Sequence, residues 1–339
     1  LWRNEQRTFL LSYVDVELAS GTRQRYFLPL EVAWEDGHDS GPLRTAEWTL
    51  AKVREHSRAG VLIDAFADPA FCVSLVHCLA ASSAVPFAGG ELRFESTGEV
   101  PALAAVPGQS VNHVGAEPTN TSVILDDLLF LKAYRRVESG PNPDVEMTRY
   151  VTRAGFQGVA ALAGSITHVT DTSSTVVAAV FACVQHQGDA WTYALNHLER
   201  YAGTMFSQDV AAADAPHALF TAQMQTLGRR VGELHRALSA AKDDDSFAPE
   251  PLTSADLSRW YSAIHFDADS TLRSLRERLP TLPSPVSAAA AQLLENAERL
   301  LVRIRELCSE PLGGLKTRHH GNLHLGKVLL IADDLLITG

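Results

Sequence analysis

The stretch whose reading decides the rest is Arg318-His319-His320-Gly321-Asn322-Leu323-His324-Leu325-Gly326-Lys327-Val328, followed by the apolar run Leu329-Leu330-Ile331. A glycine set among polar residues, just ahead of an apolar strand, suits a tight loop that presents side chains to a cleft. Three chemistries fit these residue types. The histidines can be solvated on a surface loop. His320 and His324 can ligate zinc, although two ligands are too few and no Cys or Glu stands at metal-like spacing. Or the loop can serve phosphoryl transfer, which needs a carboxylate to position the acceptor hydroxyl and oxygen ligands for Mg²⁺. The loop alone leaves all three open.

Upstream of it, the periodicity changes along the chain. Val14, Val16 and Leu18 alternate with Asp15 and Glu17, and Tyr26, Leu28, Leu30 and Val32 resume the alternation after Ser20-Gly21, which predicts an antiparallel pair with one buried face. A helical stretch is expected over residues 43–82, interrupted at Pro69, then an irregular connection over 83–118 with one strand at 91–95. Ser122–Leu125 and Leu128–Tyr134 read as strands joined by an Asp126-Asp127 turn. Phe220, Met224, Leu227, Val231, Leu234 and Leu238 fall on one face of a long helix. Ser284-Pro285 reads as a cap that opens another, with Val286, Leu293, Leu294, Ala297, Leu301 and Ile304 inward, and 242–251 as an exposed loop between the two. Strands first and helices later give an α+β chain, not a doubly wound sheet.

Composition narrows the class. Forty-six per cent hydrophobic residues against 20% charged is a globular balance, and 339 residues leave room for about two domains. The net charge of −11 argues against nucleic acid or an anionic membrane as partner. Four dispersed cysteines without a CxxC pattern point to reduced thiols and a cytoplasmic location. No apolar run is long enough to span a bilayer. Leu1 reads as the start of a fragment and Gly339 as a cut end.

His320 to Leu329 spells HGNLHLGKVL. This resembles the catalytic loop of the aminoglycoside-phosphotransferase-like kinases, His-Gly-Asp-x-His-x-x-Asn, and in particular the maltokinase branch, whose His-Gly-Asp-Tyr-His-Leu-Gly-Gln-Val-Leu it matches at seven of ten places. Other stretches follow in the family's order. Glu117-Pro118-Thr119-Asn120-Thr121-Ser122-Val123 is similar to its phosphate-side hairpin, and Leu131-Lys132 stands where the ATP-gripping lysine belongs. Pro141-Asn142-Pro143-Asp144-Val145-Glu146 is similar to the opening of the helix that carries the lysine's acidic partner, and Gly188-Asp189-Ala190-Trp191 to the segment after the hinge.

The resemblance implies a bilobal protein-kinase-like fold with an N-terminal β-rich cap subdomain (1–115), a small nucleotide-side β lobe (116–188) and a helical C-lobe (189–339) truncated at its end. It implies nucleotide contacts from Asn120, Thr121, Ser122, Lys132 and Glu146, catalytic roles for His320 and the residue at 322, and sugar contacts from Asp189, Trp191 and His324. Read alone, Lys132 is a solvated strand lysine sooner than a functional one, and Trp191 is equally a core anchor or a sugar contact. The implied reaction is ATP + maltose → ADP + maltose 1-phosphate in α-glucan and trehalose metabolism, with a trehalose synthase domain as partner in cis or in trans; the first 34 residues resemble the cap of such fused maltokinases.

Two substitutions fall on the chemistry. Asn322 stands at the catalytic Asp position, and an amide cannot accept the proton. Lys327 stands where the family has a Mg²⁺ ligand, and an ammonium has no lone pair to give. The family's next metal-binding Asp would follow the strand that ends Ile337-Thr338-Gly339. The expectation is therefore weak or no kinase activity with a degraded Mg²⁺ site, the alternative being an inactive kinase-fold domain that supports or regulates a trehalose synthase.

Overall fold

In the computed structural model the described residues are 2–3, 7–34, 46–101, 103, 108, 110–115, 119–206, 210–240, 244–309, 313–332 and 334–339. Glu117 and Pro118 of the expected phosphate-side hairpin, and Lys242 and Asp243 of the expected loop, lie outside them. The architecture is mixed α+β, in two compact units. One comprises residues 1–234 with 320–339, the other residues 235–319, and the division falls inside a long helix.

The first unit opens with β1 (Trp2–Arg3), β2 (Thr8–Leu10) and the hairpin β3 (Tyr13–Glu17)–β4 (Arg23–Phe27), turned at Gly21 with φ 79°. The hairpin is the expected antiparallel pair, but its apolar face is not buried: Val14, Val16 and Leu18 are 39%, 37% and 39% exposed. Among the described residues its one further sheet neighbour is the short β13 (Arg136–Val137), and burial is confined to the Tyr13–Phe27 end. There Tyr13 packs on Phe27 and Phe87, and its hydroxyl donates to His168 Nδ1 at 3.1 Å while His168 Nε2 donates to Phe87 O at 3.1 Å. Burial lowers the His168 pKa, which keeps the ring neutral and suited to both bonds.

Residues 49–64, expected to be helical, form β6 (Thr49–Glu55) and β7 (Arg58–Asp64), which join β5 (Leu30–Trp34) in a sheet of order β1-β2-β5-β7-β6. The turn between them places the non-glycine His56 at φ 53°, a position the sequence does not advertise. Gly60 lies so close to β5 that a Cβ there would stand 2.6 Å from Ala33 O. A helix does follow, but only as α1 (Pro69–Ala80): Pro69 starts it instead of interrupting it, and the Asp68 side chain caps it by accepting from Ala70 N–H at 2.9 Å.

The main sheet has seven antiparallel strands in the order β10-β11-β12-β15-β14-β9-β8. They are β8 (Ala84–Phe87), β9 (Gly90–Ser96), which contains the expected strand, β10 (Val111–His113), β11 (Asn120–Leu125), β12 (Leu129–Tyr134), β14 (Leu162–Val169) and β15 (Ser174–Ala182). Val123, Leu125, Leu129, Leu131 and Ala133 are fully buried on one face of β11–β12, in a core shared with Phe66, Phe71, Leu75 and Leu79. Asp126 and Asp127 form the expected turn, at φ 51° and 54°, closed by Leu128 N–H to Leu125 O at 3.0 Å. Between β13 and β14 runs α2 (Pro143–Arg153), with Asn142 as its N-cap.

After β15 come α3 (Ala190–Phe206) and α4 (Val210–Ser239). The expected α4 face is inward, Leu234 and Leu238 most deeply. The second unit holds β16 (Glu250–Pro251), α5 (Ser254–Arg278), α6 (Ser284–Glu295), α7 (Ala297–Ser309) and β17 (Leu315–Lys316). The single helix expected beyond Ser284 breaks at Asn296, so its register does not carry through: Ala290 and Ala297 are buried, whereas Val286 and Leu293 are 52% and 48% exposed. The chain then returns to the first unit as the hairpin β18 (Val328–Ile331)–β19 (Asp334–Ile337). Among the described residues no helix is long and apolar enough to cross a membrane.

One buried cluster gives this fold a pH dependence. Arg7 Nη1 bridges Glu31 Oε1 at 3.1 Å and Asp68 Oδ2 at 2.6 Å, and both carboxyls are almost fully buried. Burial, then the neighbouring Asp68 charge, pushes Glu31 up to about 7. The fold thus holds this proton more tightly than the unfolded chain, and the stabilisation it brings is complete below about 4.5 and lost as pH rises to about 7. The melting temperature of Glu31→Gln, measured across that range beside wild type, should lack this component of the decline.

Candidate active site

The site assembles around the ion pair that Lys132 makes from β12. Asn142 accepts from the backbone N–H groups of Asp144 (3.0 Å) and Val145 (3.3 Å), which fixes the start of α2 and aims Asp144 at the sheet. Lys132 Nζ donates to Asp144 Oδ2 at 2.6 Å, and the Tyr134 hydroxyl donates to the same oxygen at 3.1 Å. The lysine and aspartate side chains are 12% and 22% exposed. Burial and the adjacent Asp144 carboxylate push the Tyr134 hydroxyl well above its ordinary range, so it stays a donor. The carboxylate of this pair is Asp144, two residues before the expected Glu146 in the first turn of α2.

The loop over 318–328 reaches the same place through backbone bonds. On one side β18 is tied to the segment before α3, with Leu330 N–H donating to Gly188 O at 3.0 Å and Gln187 N–H to Leu330 O at 2.8 Å. On the other, Ile337 N–H donates to Gly158 O at 2.8 Å, beside α2. His320 closes the loop on the end of β19: its Nε2 donates to Thr338 O at 2.8 Å while Nδ1 accepts Asn322 N–H at 3.3 Å, which fixes the tautomer. Thr338 N–H donates to Lys327 O at 2.8 Å. Lys132 Nζ and Lys327 Nζ then donate to one oxygen, Gly339 O, at 3.5 and 3.2 Å. Asp334 of the hairpin is held by Arg230 of α4, whose guanidinium keeps that carboxyl low.

Lys132, His320 and Lys327 are thus brought together, with Asp144 in the place expected of Glu146. On β11, Asn120 and Ser122 share the face of Lys132, Ser122 directly opposite it in the register, whereas Thr121 pairs with Ala133 on the other face. All three also line a cavity of about 790 Å³ that faces β3–β4, together with Trp48, Asp64 and Arg135. Thr121 Oγ1 accepts from Arg135 Nε at 2.7 Å, and Arg135 pairs with Asp64 at 2.6 Å. Neither Arg135 nor Asp64 was expected at a site, because 71 residues separate them in sequence and no local motif joins them.

Asp189 caps α3, accepting from Thr192 N–H and Oγ1 at 2.9 Å each, which holds its carboxyl below the usual range. Trp191, on the same turn, is 55% exposed, which overturns its reading as a core anchor. Asn322 and His324 are exposed, and His324 Nδ1 accepts Gly326 N–H at 3.1 Å.

Asp144 is engaged by both Lys132 and Tyr134. Among the described residues no three His, Cys, Asp or Glu gather as a metal site. Since Asp144 is the counter-charge of a mostly buried lysine, Asp144→Asn should cost about 3 kcal/mol in urea unfolding, and Glu146→Gln less.

No family model matches the chain. It is 29% identical over 228 residues to a glucosamine kinase of Mycolicibacterium smegmatis, covering 66% of this chain and 50% of that protein. It is 26% identical over 304 residues to a glucosamine kinase of Streptacidiphilus jiangxiensis, covering 87% of this chain and 60% of that protein. Among solved structures it is similar to a glucosamine kinase in complex with glucosamine, ADP and inorganic phosphate, at a TM-score of 0.56 and 21% identity over 98% of this chain and 66% of that one. A second crystal form superposes equally well, at 0.56 and 20% identity. The chain spans half to about two thirds of the length of these proteins. These relatives are sugar kinases, and the chain shares the fold of the solved ones.

Proposed function

We propose that this chain is the phosphotransfer portion of an ATP-dependent sugar kinase with its catalytic carboxylate replaced by an amide, and that glucosamine is its sugar. The observation that carries the reading is the Lys132–Asp144 pair between β12 and α2, with the 318–328 loop tied beside it through Ile337 and Gly158, on a fold shared with glucosamine kinases. Phosphoryl transfer is mostly positioning and electrostatic stabilisation, and a lysine held by a carboxylate on a facing helix supplies both at a phosphate. Under this reading residues 1–115 act as a cap, 116–188 grip the nucleotide in a protein-kinase-like manner, with Asn120, Thr121 and Ser122 beside its phosphates, and 189–339 present the acceptor. Asp189, Trp191 and His324 then face the sugar. Four free cysteines accord with a cytoplasmic enzyme.

In the transfer the sugar hydroxyl oxygen bonds to the γ-phosphorus, the bond to the ADP oxygen breaks, and the hydroxyl proton leaves to water. Asn322 can orient that hydroxyl but cannot take the proton, a loss of about 10²–10⁴ in rate. The HGNLHLGKVL loop favours a second acceptor, maltose, phosphorylated at its anomeric hydroxyl. A non-catalytic partner of a trehalose synthase is the reading to which the same loop leads if no transfer occurs.

Phosphorus NMR of the protein with ATP and each sugar, beside Asn322→Asp, tests these readings. We expect slow formation of a glucosamine phosphate by wild type and acceleration by about 10²-fold or more in the variant. Product from maltose alone transfers the assignment to maltose. Turnover by the variant only makes the natural chain a binding domain, and no product from either overturns the kinase reading.

A further inference from the structure

We infer that Arg135 is a positioning residue for the nucleotide's phosphates: from the reverse face of the β11–β12 hairpin it sets the orientation of Asn120 and Ser122 and ties that orientation to the cap. The inference rests on the nucleotide reading above and adds what holds the phosphate-side strand in place.

Its basis is the set of segments that meet on this one residue, directly after β12. The Arg135 N–H donates to Thr119 O, and its carbonyl accepts Phe27 N–H from the end of β4, each at 2.8 Å. Its guanidinium acts as a fork: Nε donates to Thr121 Oγ1 at 2.7 Å and Nη2 to Asp64 Oδ2 at 2.6 Å. The carbon between them lies 4.5 Å from the centre of the Phe66 ring. Asp64 is itself fixed, since its other oxygen accepts Phe66 N–H at 3.0 Å. The side chains of Arg135 and Asp64 are only 12% and 11% exposed, so water competes little for these bonds.

Thr121 is the point at which this assembly reaches the site. It stands between Asn120 and Ser122 on β11, and because side chains alternate it points away from the face that its two neighbours share with Lys132. A strand whose middle side chain is held from behind cannot roll or slide without carrying the other two out of place. Arg135 thus acts on the phosphates through Thr121, without touching them. The same fork joins the hairpin to the cap, whose strands β4 and β7 end in Phe27 and Asp64.

The measurement is isothermal titration of the protein with ADP and, separately, with adenosine, for wild type, Thr121→Val, Thr121→Ser and Arg135→Lys. Valine keeps the shape of threonine and removes the acceptor, serine restores it, and lysine keeps the charge opposite Asp64 without the fixed fork. We expect Thr121→Val and Arg135→Lys to bind ADP about tenfold more weakly, with adenosine affinity within about twofold of wild type. Thr121→Ser should bind both ligands as wild type does. A loss shared equally by ADP and adenosine overturns the inference in favour of a purely structural role, and so does unchanged ADP affinity in Thr121→Val and Arg135→Lys. If Thr121→Val does not fold, Arg135→Lys decides by the same comparison. Wild type that binds neither ligand overturns the nucleotide reading, and the inference with it.

Discussion

Two donors, an ammonium and a phenol, meet on one carboxylate oxygen of this protein, and the arrangement of the site follows from what they demand. A lysine that is seven-eighths buried needs a counter-charge, because an isolated ammonium in low dielectric is costly. Asp144 can supply it only if α2 begins at one place and points its first turn at the main sheet. Asn142 and Pro143 ensure that start, the first by taking two otherwise unpaired N–H groups and the second by fixing φ at the first helical position. Tyr134, two residues along the strand from Lys132, adds a donor to the same oxygen, so strand and helix are locked at one spacing.

The loop depends on a different kind of restraint. Its side chains are mostly exposed, and what holds it are main-chain bonds from the strands beside it: Leu330 with Gly188, Gln187 with Leu330, Ile337 with Gly158. These reach segments more than a hundred residues upstream and place a solvent-facing loop next to a lysine on a remote strand. His320 completes the clasp with both ring nitrogens engaged. That explains why a histidine at this position can matter without touching any reacting atom.

How much of this the sequence discloses depends on whether the governing interactions are local. The Asp126-Asp127 turn, the Asn142-Pro143 helix start and the α4 stripe are written in neighbouring residues and could be read directly. The loop at 318–328 stands out as a candidate centre because its residue types are unusual together. The β6–β7 hairpin was misread as helix: its turn uses His56 in place of glycine or asparagine, and Leu50 on β6 is 53% exposed, so neither the turn nor the alternation stands out. Val14 and Val16 look like core and are not, since burial of a hairpin face depends on what lies over it. The exchange of Glu146 for Asp144 is of the same kind: both lie in the first turn of α2, and only the packed structure tells which one faces Lys132.

In β11–β12, Ser122 stands opposite Lys132, and side chains alternate between the core and the site along both strands. Because that period is two, the loss or gain of a single residue in this hairpin would turn Lys132 into the core and Leu131 or Ala133 out of it. Many substitutions can be absorbed there one at a time, but a length change cannot. For anyone tracing the ancestry of this chain through divergent genes, the spacing from the Asp126-Asp127 turn to the lysine is a firmer marker of descent than the identity of the residues between them.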